Sequence, residues 1–316
     1  EWHLLNPALS YRLTQRARNC DGSTWLSLLE RPAWAGQSEI MADAECVAFL
    51  RWALPRLGLR WQGFRKVHGQ VCKRLRRRMK ELGVEGFAAY RQQLDADPEE
   101  WTALDGLSHI TISRFFRDKS IFEALERRVL SDIAARARRD KRQARFWSAG
   151  CASGEEPYTL KILWDIAVAS AFPGVGCSVV ATDVDETLLK RARKGCYSGG
   201  SLRELPEALV LQGFERSGSL FCVRPQHRKG VSFQLQDLRR EAPEGLFDLI
   251  LCRNVAFTYF EHPLQGEVLD RLVERLAQPG YLVIGAQEKL PHEISYLIPL
   301  PGVPEIFTYE TALPEA

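Results

Sequence analysis

The stretch Trp147-Ser-Ala-Gly-Cys-Ala-Ser-Gly-Glu-Glu-Pro-Tyr158 decides how this chain is read. Ahead of it, Arg145-Phe-Trp predicts a short buried strand. Behind it, Thr159-Leu-Lys-Ile-Leu-Trp-Asp-Ile-Ala-Val has the 3.6-residue spacing of a buried helix. Between them lies a small-residue turn with Gly150 and Gly154. Strand, glycine turn and helix form the usual cradle of a nucleotide-like ligand in an open α/β sheet. The turn is not Gly-x-Gly-x-x-Gly, and no Lys-Ser/Thr follows it, so neither the dinucleotide nor the P-loop fingerprint is met. Glu155 and Glu156 occupy the helix N-terminus that would otherwise attract a phosphate. Acids there suit a ligand that carries positive charge.

Outward from this turn the alternation continues. Cys177–Thr182 reads as a second strand ending at Asp183-Val-Asp185, and Glu186–Lys194 as the next helix. Phe247–Cys252 is a continuous apolar strand, Leu264–Leu276 a helix stopped by Pro279-Gly280, and Tyr281–Gly285 another strand. Glu305–Tyr309 alternates as an edge strand. Repeated β–α alternation predicts a mostly parallel, doubly wound sheet. Residues 196–235 break the rhythm. A short helix near Glu204–Leu211 precedes two β-rich runs, Leu220–Arg224 and Val231–Leu235, read as a small antiparallel insert.

Toward the N-terminus the character changes. Residues 41–110 read as a small helical domain, 111–140 as a linker and a long amphipathic helix, and 141–316 as the sheet domain; 1–40 form an extension of irregular pattern. Within the helical domain, Phe64–Leu82 has one apolar row (Val67, Val71, Leu75, Met79) and an opposite face rich in Lys and Arg. Residues 51–80 hold eleven Lys/Arg and no Asp/Glu, which points to an anionic partner. Aromatic residues are not interleaved with these charges as single-stranded nucleic acid binding requires, so an acidic protein is favoured over nucleic acid. In the linker, Phe115 and Phe116 stand side by side, one expected on the helical domain and the other on the sheet.

Composition bounds the rest. Hydrophobic residues at 45% and charged residues at 26% are those of a soluble globular chain. The most apolar run, Leu163–Ala181, is interrupted by Asp165, Pro173, Gly174 and Gly176 and predicts no membrane span. The N-terminal Glu1-Trp-His-Leu-Leu lacks a signal-peptide layout. Eight scattered cysteines without a Cys-x-x-Cys pair, and six dispersed histidines, predict neither a metal site nor a disulfide framework. Reduced thiols in a cytoplasmic protein are the expectation.

Asp183, one β–α unit after the glycine turn, is placed to accept both hydroxyls of an adenosine ribose; its structural alternative is a helix cap. Ribose recognition without a phosphate cradle, beside two acids, points to S-adenosylmethionine, which offers a ribose, an amino-acid zwitterion and a sulfonium.

With these residues in hand, the chain resembles the chemotaxis-receptor glutamate methyltransferases, the CheR-type family of class I methyltransferases, over about residues 60–290. The resemblance rests on Arg74-Leu-Arg-Arg-Arg-Met-Lys-Glu-Leu-Gly83, Phe115-Phe-Arg117, residues 147–158, Ala181-Thr-Asp-Val-Asp185, Val231–Leu238 and Cys252-Arg-Asn-Val255. It implies a Rossmann-like class I sheet and a cytoplasmic enzyme that esterifies glutamate side chains, with S-adenosylhomocysteine as coproduct. It also implies roles for matching positions. Thr111, Ser113 and Arg117 would reach the cofactor from the linker, beside Gly150. Glu156 would hold the methionine ammonium and Asp183 the ribose. Asp237 and Leu238 would flank the adenine. Arg253 and Asn254 would close the site. Arg117 or Arg253 would orient the acceptor carboxylate, and Tyr259 would lie beside the methyl group. Chemoreceptor helices would dock on the basic helix 66–80, and the insert docks a receptor tail in some relatives.

Each role has a structural alternative: a surface ion pair for Arg117, a turn for Asn254, helix caps for Thr111 and Ser113, packing for Tyr259. The chain also departs from the family pattern. Tyr259-Phe260 follows Arg253-Asn254-Val255 one residue later than usual. Thr111 and Asp237 replace asparagines, and Gly285-Ala-Gln-Glu288 replaces Gly-His-Ser-Glu. Two other readings stay open: the same enzyme with a small-molecule or other peptide acceptor, and a cofactor-binding module without catalysis.

Overall fold

A computed structural model describes residues 33–309. Seven strands form one sheet in the order β6-β2-β1-β7-β8-β10-β9. They are β1 (Ala144–Ala149), β2 (Cys177–Asp183), β6 (Val231–Leu235), β7 (Phe247–Cys252), β8 (Leu276–Ile284), β9 (Leu297–Leu300) and β10 (Val303–Tyr309). The first five of the row pair in parallel; β10 runs antiparallel to β8 and to β9. The chain moves outward from β1 to β2 and β6, then returns to place β7 on the other side of β1. Loops leaving β1 and β7 therefore diverge, and that switch point is where an open α/β sheet binds its ligand.

Both faces of the sheet are covered, so its central strand β7 is buried at every position, as its apolar run predicts. The one charge in that strand, Asp248, accepts two hydrogen bonds from Arg142 (2.8 and 2.7 Å) and one from the Arg145 amide (2.9 Å). Alternation along β1 sends Phe146 to one core and Trp147 to the other.

The helical part comprises α1 (Ala33–Ala53), α2 (Trp61–Phe64), α3 (His68–Glu81), α4 (Gly86–Ala96) and α5 (Pro98–Ser108). Its side chains Phe49, Leu75 and Tyr90 belong to the same contiguous core as Trp147 and Ile250 of the sheet. Asp97 caps α5 through the Glu99 amide at 3.0 Å, with Pro98 at the first helical position. The next helix, α6, runs over 119–139 with a π turn at Leu125–Val129. Then follow α7 (Glu155–Leu163, continued by a π turn to Val168), α8 (Glu186–Lys194), α9 (Glu207–Gly213), the single turns α10 (Pro225–Arg228) and α11 (Ala256–Tyr259), and α12 (His262–Glu274).

Several expectations change. The basic helix is broken at 65–67 into α2 and α3, although Val71, Leu75 and Met79 are buried as a row. Val231–Leu235 is not half of the insert but the outer parallel strand of the main sheet. The antiparallel sheet instead joins β3 (Cys196–Ser198), β5 (Leu220–Val223) and β4 (Phe214–Ser217), in that order. A strand of alternating pattern fits either partner; pairing with β2 is long-range and leaves no local sign. Likewise β10 is not the sheet edge, because β9 pairs outside it. Phe115 and Phe116 enter the same core: a positive φ of 58° at Phe116 turns the two rings apart, Phe115 onto Tyr197 and Phe214, Phe116 onto Phe122. The thiol reading is also corrected: Cys46–Cys72 links α1 to α3, and Cys196–Cys222 joins opposed positions of β3 and β5. Each pair lies 26 residues apart, a spacing with no local signature. Residues 1–32 of the N-terminal extension lie outside the described residues, while 33–40 form the start of α1.

Candidate functional site

β1 delivers the glycine turn to the switch point. Gly150 has φ +73°, and a Cβ there would stand 2.4 Å from Val255 Cγ2. Gly154, with φ +91°, would bring a Cβ to 2.9 Å from that of Ala192. Side chains are excluded at both positions by conformation and by space. The turn is tied to the end of β2: Gly150 and Cys151 amides donate to the Thr182 carbonyl at 2.8 and 2.9 Å. The Ala152 amide donates to Asp183 Oδ2 at 2.8 Å, and the Asp185 amide to Asp183 Oδ1 at 3.0 Å. The cap of α8 is Asp185, which accepts from the Thr187 and Leu188 amides. Asp183 is thus freed from capping and sits at the strand tip. Burial pushes its carboxyl up, against the backbone hydrogen bonds from Asp185 and Ala152.

Glu156, in the first turn of α7, accepts from Ser148 Oγ at 2.7 Å and from Arg253 Nη1 at 2.9 Å. Arg253 Nη2 also donates to Asp118 Oδ2 (2.8 Å) and to the Arg117 carbonyl (2.6 Å), with the guanidinium over the Phe122 ring. This buried arginine is therefore held between two carboxylates. Its neighbour Asn254 adopts φ 58°, a conformation asparagine tolerates, and its amide donates to Glu288 Oε2 at 2.8 Å. Glu288 also accepts from the Gly285 amide (2.6 Å) and from Thr258 Oγ1 (2.6 Å), so it ties the loop after β8 to the loop after β7. Burial raises its carboxyl, and those same donors oppose the rise.

The linker forms the near rim. Its residues Thr111 and Ser113 cap no helix; the N-cap of α6 is Asp118. The link is pinned to the insert side by Phe115 N–H to the Ser201 carbonyl (3.0 Å) and by Arg114 to Glu204 (2.8 Å). Arg117 donates to the Ile112 carbonyl at 2.6 Å and makes no ion pair among the described residues. At the far end, Asp237 takes hydrogen bonds from Arg239 on both oxygens, and Arg239 also grips Asp105 of α5 at 3.0 and 2.7 Å. One guanidinium so joins the helical part to the loop after β6. Tyr259, on α11, completes the wall, with the Phe64 ring edge-on at 5.1 Å.

Thr111, Ser113, Arg117, Gly150, Glu156, Asp183, Asp237, Leu238, Arg253, Asn254 and Tyr259, spread over 149 residues of sequence, all line this one cleft. The sequence reading missed Asp105, Arg239 and Glu288. Asp105 and Arg239 are 134 residues apart and carry no motif. Glu288 carried a signal, as the last residue of the Gly285-Ala-Gln-Glu288 segment after a strand.

Comparison with known proteins matches residues 111–302 to the family described as CheR methyltransferase, SAM binding domain, and residues 68–104 to CheR methyltransferase, all-alpha domain. A chemotaxis protein methyltransferase of Listeria monocytogenes is 32% identical over 210 residues, 66% of this chain and 77% of its own length. A probable chemotaxis protein methyltransferase of Rhizobium etli is 31% identical over 74% of this chain and 88% of its own. The chemotaxis protein methyltransferase of Escherichia coli is 33% identical over 70% of this chain and 77% of its own.

Proposed function

The chain belongs to the CheR methyltransferase family, and from that premise we propose that it forms γ-glutamyl methyl esters on acidic helices of chemoreceptors. It is an S-adenosylmethionine-dependent methyltransferase. The observation that carries the choice of acceptor is the state of the two cleft arginines. Arg253 is committed to Glu156 and Asp118, whereas Arg117 faces the same cleft with no carboxylate partner among the described residues. A cation so placed fits an anionic acceptor.

The residues present fit the cofactor. A glycine turn without room for Cβ gives close backbone approach, and the carboxylates of Glu156 and Asp183 line the cleft with it. Asp183 would accept the ribose hydroxyls and Glu156 the methionine ammonium. Asp237 and Leu238 would flank the adenine, and Thr111, Ser113 and Asn254 would close round the rest. When bound, S-adenosylmethionine supplies an electrophilic methyl group. A glutamate carboxylate is already anionic at neutral pH, so no residue has to remove a proton. Arg117 orients that carboxylate by a two-pronged contact. Arg253 acts one step back, holding Glu156 in place. Tyr259, backed by Phe64, excludes water from the reacting pair, which strengthens every charge interaction in the site.

The receptor helix would dock on the exposed face of α3. That face is carried by Lys73, Arg77 and Lys80; Arg74 is bound to the carbonyls of Leu107 and His109, and Arg78 to Glu100. No described helix is long and apolar enough to cross a membrane. We place the protein in the cytoplasm. Incubation with methyl-labelled cofactor and receptor fragments tests the reading. Label released by mild alkali is expected. Alkali-stable label would move the acceptor to nitrogen or sulfur, and tight cofactor binding without label on any fragment would overturn the receptor assignment.

A further inference from the structure

Residues 58–64 lie outside both matched segments, 68–104 and 111–302, yet they meet the site residue Tyr259 directly. Leu59 forms an antiparallel bridge with Phe260. The Arg60 amide donates to the Tyr259 carbonyl at 2.8 Å, and the Glu261 amide to the Gly58 carbonyl at 2.8 Å. The Arg60 side chain then reaches along α11, Nε to the Thr258 carbonyl at 3.1 Å and Nη2 to the Phe257 carbonyl at 2.5 Å. These are the last carbonyls of a single helical turn, which has no following turn to satisfy them. Nor is one turn stable by itself, since helix nucleation is unfavourable. Gly63 fits against the same turn: a Cβ there would stand 2.4 Å from the Thr258 carbonyl oxygen and 2.9 Å from Tyr259 Cδ1.

We infer that Arg60 is a positioning residue for methyl transfer: it caps the turn that carries Tyr259 and so fixes where that ring stands in the cleft. It acts across the join between the helical part and the sheet, from a segment to which the family match assigns nothing. The inference rests on Tyr259 facing the transferred group in the proposed reaction.

The test is a double-mutant cycle on the full chain with Arg60→Ala, Tyr259→Ala and their combination, reading kcat, acceptor KM, calorimetric cofactor affinity and Tm. Displacing a site group by about 1 Å costs on the order of 100-fold in rate. Arg60→Ala is therefore expected to lower kcat at least about 10-fold with cofactor affinity within about twofold, and Arg60→Lys to recover part of it. In the Tyr259→Ala background, Arg60→Ala should cost no further rate. The same loss in both backgrounds would overturn the inference, making Arg60 a general support. So would an unchanged kcat in Arg60→Ala while Tyr259→Ala is impaired. If Tyr259→Ala itself retains full kcat, the Tyr259 assignment in the reaction falls, and this inference with it.

Discussion

On one side of the cleft, Gly150, Glu156 and Asp183 come from a single strand–turn–helix–strand run, and each is fixed by groups within about one turn or one neighbouring strand. On the other side, Tyr259 is held by Arg60 and Phe64, some two hundred residues away, and Arg117 hangs from a linker pinned to the insert. On the proposed reading, the part of the cofactor wall that meets the ribose and the ammonium is thus local, and the acceptor wall is composite. A local wall keeps one ligand with short-range means. A composite wall allows the acceptor end to change while the cofactor end stays, because its parts belong to separate elements.

The largest effect is expected on the local wall. Asp183→Ala removes the carboxylate that meets two backbone amides and faces the cleft. With charged hydrogen bonds worth about 1.5–3 kcal/mol each, cofactor affinity should fall by roughly 100-fold or more by calorimetry. An unchanged affinity would break the contrast at its stronger end. Arg117→Ala should do the reverse: removing one oriented charge typically costs about 100-fold in kcat, here with cofactor binding far less affected. If cofactor affinity falls as much as rate, Arg117 belongs to the cofactor wall.

The cofactor wall was legible in its own residues, whereas Arg117 and Tyr259 on the other side were reached only through the family resemblance. The turn at 148–154, the acid at the tip of β2 and the Cys252-Arg-Asn-Val255 strand end are contiguous, so their spacing carries the chemistry. The ion pairing of Arg253 was not legible, because its partners Glu156 and Asp118 lie 97 and 135 residues away. The same holds for the pairing of β6 with β2 and for both disulfides, which depend on packing between elements rather than on any local period. Element types read well wherever burial imposed periodicity, as in α3, α7 and β7. Strand pairing was misread at Val231–Leu235, where alternation states that a strand exists but not whom it pairs with.

The tie between the helical part and the loop after β6 offers a finer cut. Burial pushes the Asp105 carboxyl up, but hydrogen bonds from His109 and Arg239 outweigh it and bring it down to about 2. A folded-state value below the unfolded one, about 3.9, stabilises the fold above that pH; the contribution is lost as pH falls from about 4 through about 2. It amounts to about 2 kcal/mol. Arg239→Ala should therefore lower Tm at pH 7 and flatten its fall between pH 4 and 2. Cofactor affinity should weaken roughly 10-fold, since Asp237 loses the group that orients it and one such contact is worth about 1.5 kcal/mol. A full Tm at pH 7 would mean that packing alone joins the helical part to that loop.

The smallest effect separates docking from structure on α3. Lys73, Arg77 and Lys80 are exposed, and the one ion pair among them, Arg77 to Glu81 at 3.4 Å, is solvated and contributes little. Arg78 differs: with Tyr90 it holds the buried Glu100, whose carboxyl the Arg78 hydrogen bond draws down against burial. Reversing Lys73, Arg77 and Lys80 to Glu should raise KM for a receptor fragment several-fold at low salt, with the difference shrinking as ionic strength rises past the range where the Debye length is about 8 Å. Tm and cofactor affinity should not move. Arg78→Glu should do the opposite, lowering Tm because it leaves a carboxylate buried without its cation. If the triple reversal leaves KM unchanged, the acidic acceptor does not use this face, and the composite wall ends at Tyr259 and Arg117.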